Sequence, residues 1–129
     1  MARPRMDTYQ EAAELRSALR HFMRRSEEVA RRHGLTPNQY QLLVLIKGTP
    51  DGSERSTVTD LVDRIALSQS TVTELVQRAE RAGLLRREQA DHDARVVHLG
   101  LTELGEGRLD AAFTELGAER RVLRELIGS

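Results

Sequence analysis

The sequence predicts a mostly α-helical chain with one small β-hairpin, an α+β arrangement in which helices dominate. Three observations carry this expectation. Apolar residues recur at spacings of 3 and 4 along most of the 129 residues, as they do on one face of an α-helix. Helix-start signals stand at Thr36, Thr57, Ser68 and Thr102, each a hydroxyl able to accept from a backbone N–H three residues on. Between residues 84 and 99, two short apolar runs flank a polar, turn-rich tip, which is the pattern of a hairpin.

Composition narrows the class. Hydrophobic residues at 39% and charged residues at 31% describe a globular chain, long enough for one domain over residues 1–129 or for one compact domain plus a helical appendage. Aromatics at 3% and no Trp leave the core to Leu, Val, Ile and Ala. No apolar run approaches the roughly 18 residues of a membrane span. The opening MARPRMDTYQEA has no apolar core and no cleavage site, so no secretory signal is expected and the cytoplasm is the expected compartment. The absence of Cys excludes disulfides, thiolate metal sites and a cysteine redox switch. His21, His33, His92 and His98 show no ligand spacing, so no metal and no cofactor are expected. Neither a catalytic Ser/His/Asp set, paired carboxylates nor a Gly-rich phosphate loop is present, so an enzyme is not expected.

Residues 8–33 form the first predicted helix. Ala12, Leu15, Leu19, Phe22, Ser26 and Val29 make a narrow seam. Glu27→Arg31 and Glu28→Arg32 have the spacing of i,i+4 pairs, and Gly34 closes the helix. Such a seam suits a subunit interface as well as an internal core. Thr36-Pro37-Asn38-Gln39 is a capping box with Pro at the first helical position. The helix it starts is apolar on most sides and therefore central. After the polar loop TPDGSERS, a short helix over 58–65 turns Val58, Leu61, Val62 and Ile65 inward.

Ile65-Ala66-Leu67-Ser68 joins this helix to the next through a tight turn, which is helix-turn-helix geometry. In the following helix Val72, Leu75, Val76 and Ala79 are the buried stripe. Gln69, Ser70, Thr73, Glu74, Gln77 and Arg78 face outward, and such groups can reach base edges and phosphates. Gly83 stops the helix. Strands over 84–88 and 96–99 then flank the tip at 89–95. Arg86 and Arg87 fall on opposite strand faces, so at most one points at DNA. A helix from Glu103 turns Leu104, Leu109, Ala112, Phe113 and Leu116 inward, Gly117 breaks it, and a last helix carries Val122, Leu123, Leu126 and Ile127 on one side.

Charge is distributed unevenly around a net of zero. Residues 1–33 hold eight arginines against five acids, for +3, and 34–67 stand at −1. Residues 68–83 and 84–98 each balance, and 99–129 stand at −2. A blanket polyanion binder is excluded, so any nucleic-acid surface is local.

Three motifs in this order resemble the MarR family of bacterial transcriptional regulators over nearly the whole chain. They are LTPNQY at 35–40, LSQSTVTELV at 67–76 with ERAGL at 80–84, and DAR at 93–95 followed by LGLTELG at 99–105. The resemblance implies a winged helix-turn-helix over about 36–102, with dimerisation helices at about 8–33 and 103–128. It implies a homodimer, most often a repressor, on a pseudo-palindromic double-stranded operator, relieved by a small aromatic or anionic effector.

The helix face of Ser68, Gln69, Ser70, Thr71, Thr73, Glu74, Gln77 and Arg78 is expected to read DNA and Arg86 or Arg87 to contact phosphate, while by matched position Asp93 and Arg95 would be the wing pair. Arg95 would enter the minor groove or pair with Asp91 or Asp93, and Asp93 would order the hairpin. Glu74 departs from the family's basic or neutral residue: it either accepts from cytosine N4 or repels phosphate. Arg16, Arg20, His21 and Tyr40 would line an effector cleft, or form a solvated face. The competing expectation, drawn from the neutral charge and Glu74, is a winged-helix interaction module that binds protein or a small ligand without specific DNA binding.

Overall fold

A computed structural model describes residues 2–90 and 93–128, excepting the side chains of 90, 93 and 94. Six helices and a two-stranded antiparallel sheet follow in the order α1 (Met6–Arg32), α2 (Pro37–Lys47), α3 (Val58–Ile65), α4 (Gln69–Arg81), β1 (Leu85–Ala90), β2 (Asp93–Leu101), α5 (Glu103–Glu115) and α6 (Gly117–Gly128).

Local chemistry sets most boundaries. Thr36 accepts from the Gln39 N–H at 3.1 Å while the Gln39 side chain accepts from the Thr36 N–H at 3.0 Å. Thr57 and Asp60 repeat this reciprocal cap at the start of α3. At the end of α1, Gly34 takes a φ of +77° and the Leu35 N–H returns to the Ala30 carbonyl at 2.9 Å. Gly83 ends α4 in the same way, with Leu84 returning to Ala79. Both are left-handed closures that glycine enters without steric cost. The turn between α3 and α4 is tighter: Ala66 stands at a φ of 59°, a conformation that costs an L residue about 1–2 kcal/mol.

The main core gathers around α2. Leu42, Leu43 and Ile46 are fully buried against Leu61, Val72, Val76, Leu84 and Leu99. A smaller cluster of Val29, Ala112 and Leu116 ties α1 to α5, with Tyr40 packed against both groups. The central helix is thus apolar on most sides, as its sequence requires.

Four sequence expectations change. Leu104 and Phe113 stay outside the buried core, being 45% and 41% exposed. Helix α5 packs instead through Gly105, Leu109 and Ala112, because a Cβ on Gly105 would lie 2.2 Å from the Leu84 carbonyl oxygen and only glycine fits that approach. The polar loop before α3 is not all loop: Ser56 forms an antiparallel bridge to Leu99, with N···O distances of 3.1 and 2.8 Å, so β2 pairs on both edges at that point. The strands also extend further into the hairpin, to an Ala90–Asp93 pair beyond a register shift at Gln89. Finally, Glu28 pairs with Arg24 and Arg25 rather than Arg32, which reaches across to Glu115 at 2.8 Å. The charge contact between helices displaces the local i,i+4 pair.

Candidate nucleic-acid interface

Helix α4 is divided sharply between an apolar and a polar face. Val72, Val76 and Ala79 are fully buried, which fixes the helix against α2 and α3. Gln69, Ser70, Thr71, Glu74, Gln77 and Arg78 are exposed, and Thr73 is half-buried. The three residues Ala66, Leu67 and Ser68 separate α4 from α3, so the polar face is offered at the surface on a rigid pair of helices. Ser68 is spent locally. Its hydroxyl caps the helix by accepting from the Thr71 N–H at 3.3 Å and donates to the Thr71 hydroxyl at 2.8 Å.

The arginines of this surface are held by carboxylates. Arg78 donates to Glu74 at 2.6 Å, one helical turn away. Arg87 reaches back from β1 to both oxygens of Glu80 on α4, at 2.9 and 2.8 Å. Glu80 accordingly holds the Arg87 guanidinium above its ordinary pKa. Arg86 donates to Glu88 at 2.7 Å and to the Leu101 carbonyl at 3.0 Å. These contacts put Arg86 and Arg87 on different faces, as alternation along a strand requires.

Sequence reasoning missed two members of this network. Arg55 pairs with Glu88 at 3.0 Å, so that Glu88 stands between two guanidinium groups. Its carboxyl is held below the usual range, first by the Arg86 hydrogen bond and further by the nearby Arg55 charge. Neither Arg55 nor Glu80 has a helical-spacing partner to betray these contacts; both depend on the Ser56–Leu99 bridge and the hairpin folding back on α4. Arg95 is exposed on β2. Asp91 and His92 of the tip, and the Asp93 side chain, lie outside the described residues.

The four residues assigned to an effector cleft are not brought together. Tyr40 lines a cavity of about 300 Å³ with Phe22, Ser26, Val44, Phe113 and Arg120. Arg16, Arg20 and His21 instead line a neighbouring groove on α1, which adjoins the Tyr40 cavity through Met23 and Glu27. Helical phase explains the split, since Phe22 and Ser26 share one face of α1 and Arg16 and Arg20 another. Burial pushes the Tyr40 phenol up in pKa, against the opposing influence of Arg120. Arg120 itself lies 3.4 Å over the Phe113 ring centroid. It went unforeseen because it lies on α6, 80 positions from Tyr40.

A helix pair joined by a tight turn, followed by a hairpin packed on the second helix, defines the winged helix-turn-helix class. Within that class, residues 33–96 match the sequence model of the MarR family, and the chain belongs to that family. The HTH-type transcriptional regulator MhqR of Bacillus subtilis (strain 168) is 31% identical over 88 residues, which is 68% of this chain and 58% of that protein. Another B. subtilis relative, YkoM, is matched over 61% of its length, so the chain spans about six-tenths of these regulators.

The crystal structure of AbsC, a MarR family regulator from Streptomyces coelicolor, superposes with a TM-score of 0.72. It is 28% identical and is covered over 95% of this chain and 82% of its own. An E. coli MarR mutant complexed with operator DNA gives a TM-score of 0.68 at 18% identity, over 93% of this chain and 81% of that one, and shares the fold. No helix among the described residues is long and apolar enough to cross a membrane.

Proposed function

We propose that this chain is a DNA-binding transcriptional regulator of the bacterial cytoplasm and not an enzyme. It acts as a homodimeric repressor on a pseudo-palindromic operator and responds to a small ligand. The observation that carries the reading is the two-sided α4: Val72, Val76 and Ala79 anchor it, while Gln69, Ser70, Gln77 and Arg78 stand exposed. Side chains of this length and chemistry reach base edges when such a helix enters the major groove. Arg95 on the wing supplies a cation for the minor groove.

The dimer is supported by the outer surface of the terminal helices. Leu15, Leu19 and Met23 on α1 and Val122 and Ile127 on α6 are 40–64% exposed, apolar area that a second copy would cover. An effector is supported by the Tyr40 cavity, where apolar walls meet the Arg120 guanidinium and a Ser26 hydroxyl that has no hydrogen-bond partner. That lining favours an aromatic or anionic small molecule.

Titration of genomic duplex fragments over a salt series tests the reading. A specific reader with a handful of phosphate contacts loses about an order of magnitude or more between 50 and 200 mM salt. Binding to no fragment even at low salt would leave the second reading, an interaction module that binds protein or ligand. The carboxylate-held Arg78, Arg86 and Arg87 favour that second reading.

A further inference from the structure

We infer that Glu74 and Arg78 act as one unit that specifies a cytosine and a guanine at neighbouring positions of each operator half-site. The inference rests on the DNA-reading role of α4 and goes on to name what that helix recognises. Both side chains lie on the exposed face of α4, 58% and 61% accessible, and they are joined at 2.6 Å. Ser70 precedes them by one turn on the same exposed face and Gln77 lies beside them, so the pair occupies the middle of the surface opposite the buried stripe.

An isolated carboxylate there would meet the phosphates of the duplex with repulsion, whereas the joined pair carries no net charge. The contact uses one oxygen of Glu74 and one terminal nitrogen of Arg78. The second carboxylate oxygen and the remaining guanidinium N–H groups are left to meet base edges.

Those two chemistries are complementary to one kind of base pair. A carboxylate accepts from the cytosine N4 amino group, and an arginine donates to guanine O6 and N7. Residues one helical turn apart have Cβ atoms about 5–6 Å apart, and stacked bases are spaced about 3.4 Å. The pair therefore spans one or two base-pair steps. The discrimination is positional: thymine in place of the cytosine leaves the carboxylate facing the O4 acceptor, and adenine in place of the guanine sets the N6 amino donor where the arginine needs the O6 acceptor.

Selection of duplexes from a randomised library by the full chain, followed by affinity measurement on single-base variants of the selected site, tests this. The native protein should select a fixed C and G within each half-site and lose on the order of tenfold in affinity when the cytosine is replaced by thymine or the guanine by adenine. Glu74→Gln should abolish the preference at the cytosine and leave the other positions selected. Arg78→Gln should do the same at the guanine, and the double variant should lose little more than either alone.

Both variants alter exposed helix-surface groups, and unchanged thermal midpoints will confirm that they fold. A Glu74→Gln protein that binds every sequence more tightly by the same factor would overturn the inference, since Glu74 would then only repel phosphate. An unchanged sequence preference would overturn it as well. Failure of the native protein to bind any duplex at low salt is a distinct outcome, which removes the regulator reading and this inference with it.

Discussion

The Thr102 hydroxyl donates to the Gly83 carbonyl at 2.5 Å and accepts from the Gly105 N–H at 3.1 Å. One side chain thus closes the base of the wing and caps the helix that follows it. The Thr102 N–H adds a bond to the Leu84 carbonyl at 3.1 Å. Thr102→Ala should cost about 1–2 kcal/mol, the typical value of a lost N-cap, together with a carbonyl left without its donor. Thr102→Ser should recover most of it. Urea unfolding midpoints of the three proteins measure this, and equal midpoints for Thr and Ala would show the contact to be incidental.

Gly105 makes the next prediction, because the backbone of Leu84 leaves no room above it. An added Cβ would lie 2.2 Å from the Leu84 oxygen, and that atom belongs to the backbone, so α5 and the start of β1 must separate. Gly105→Ala should destabilise the fold by about 1–3 kcal/mol, the usual range for overpacking. Thermal unfolding checks it. Gly107→Ala is the control, since nothing lies within 4 Å of a Cβ there.

How far these features were legible in the sequence follows from the range of the contacts involved. The caps at Thr36, Thr57, Ser68 and Thr102 were readable because each bond spans three residues. The helix closures at Gly34 and Gly83 were readable for the same reason. The Ser56–Leu99 bridge joins residues 43 apart through a serine in a polar loop, and no local pattern marks it. Leu104 and Phe113 misled because apolarity was equated with burial, whereas the tightest packing of α5 belongs to a glycine. For the site, the polar face of α4 was visible from helical phase alone. The pairing of Arg87 with Glu80, and of Arg55 with Glu88, depended on the hairpin's fold and was not.

Glu88 gives the wing a dependence on acid. Its pKa in the folded protein is held below the ordinary carboxylate value by Arg86 and Arg55. A depressed carboxylate contributes stability that is present above its unfolded pKa and is lost as pH falls through the folded one. The wing should therefore loosen below about pH 4.5, near the unperturbed glutamate value. Hydrogen exchange of the β1 and β2 amides against pH measures it. In Glu88→Gln the acid-dependent part should vanish and the exchange should be faster at neutral pH; an unchanged profile would dissociate the Arg55–Glu88–Arg86 contact from wing order.

Tyr40 predicts the opposite end of the scale. Burial raises its phenol above the ordinary value near 10, so the folded state holds the proton longer than the unfolded chain does. The stability from this difference is fully present below the unfolded pKa and is lost as pH rises through the folded one. Denaturation midpoints should fall above about pH 10, and Tyr40→Phe should flatten that fall. A slope unaffected by the substitution would mean that other groups carry the alkaline dependence.

Arg95 tests the wing and, with it, the need for two copies. It is exposed on β2, so Arg95→Ala should leave the thermal midpoint within the roughly 0.5 kcal/mol range of ordinary surface substitutions. Loss of a minor-groove cation should weaken operator binding and lower the salt slope by about one per contact, twice over in a dimer. Leu19, 44% exposed on α1, supplies the complementary variant. Leu19→Glu places a charge on the apolar outer face without touching the described core, and sedimentation should show a monomer that retains its helicity. Since residues 68–98 carry no net charge, one copy has little field to hold a duplex, and the monomer should lose more affinity than Arg95→Ala does. A Leu19→Glu protein that stays dimeric, or a monomer that binds as tightly as the native chain, would separate DNA reading from the terminal helices.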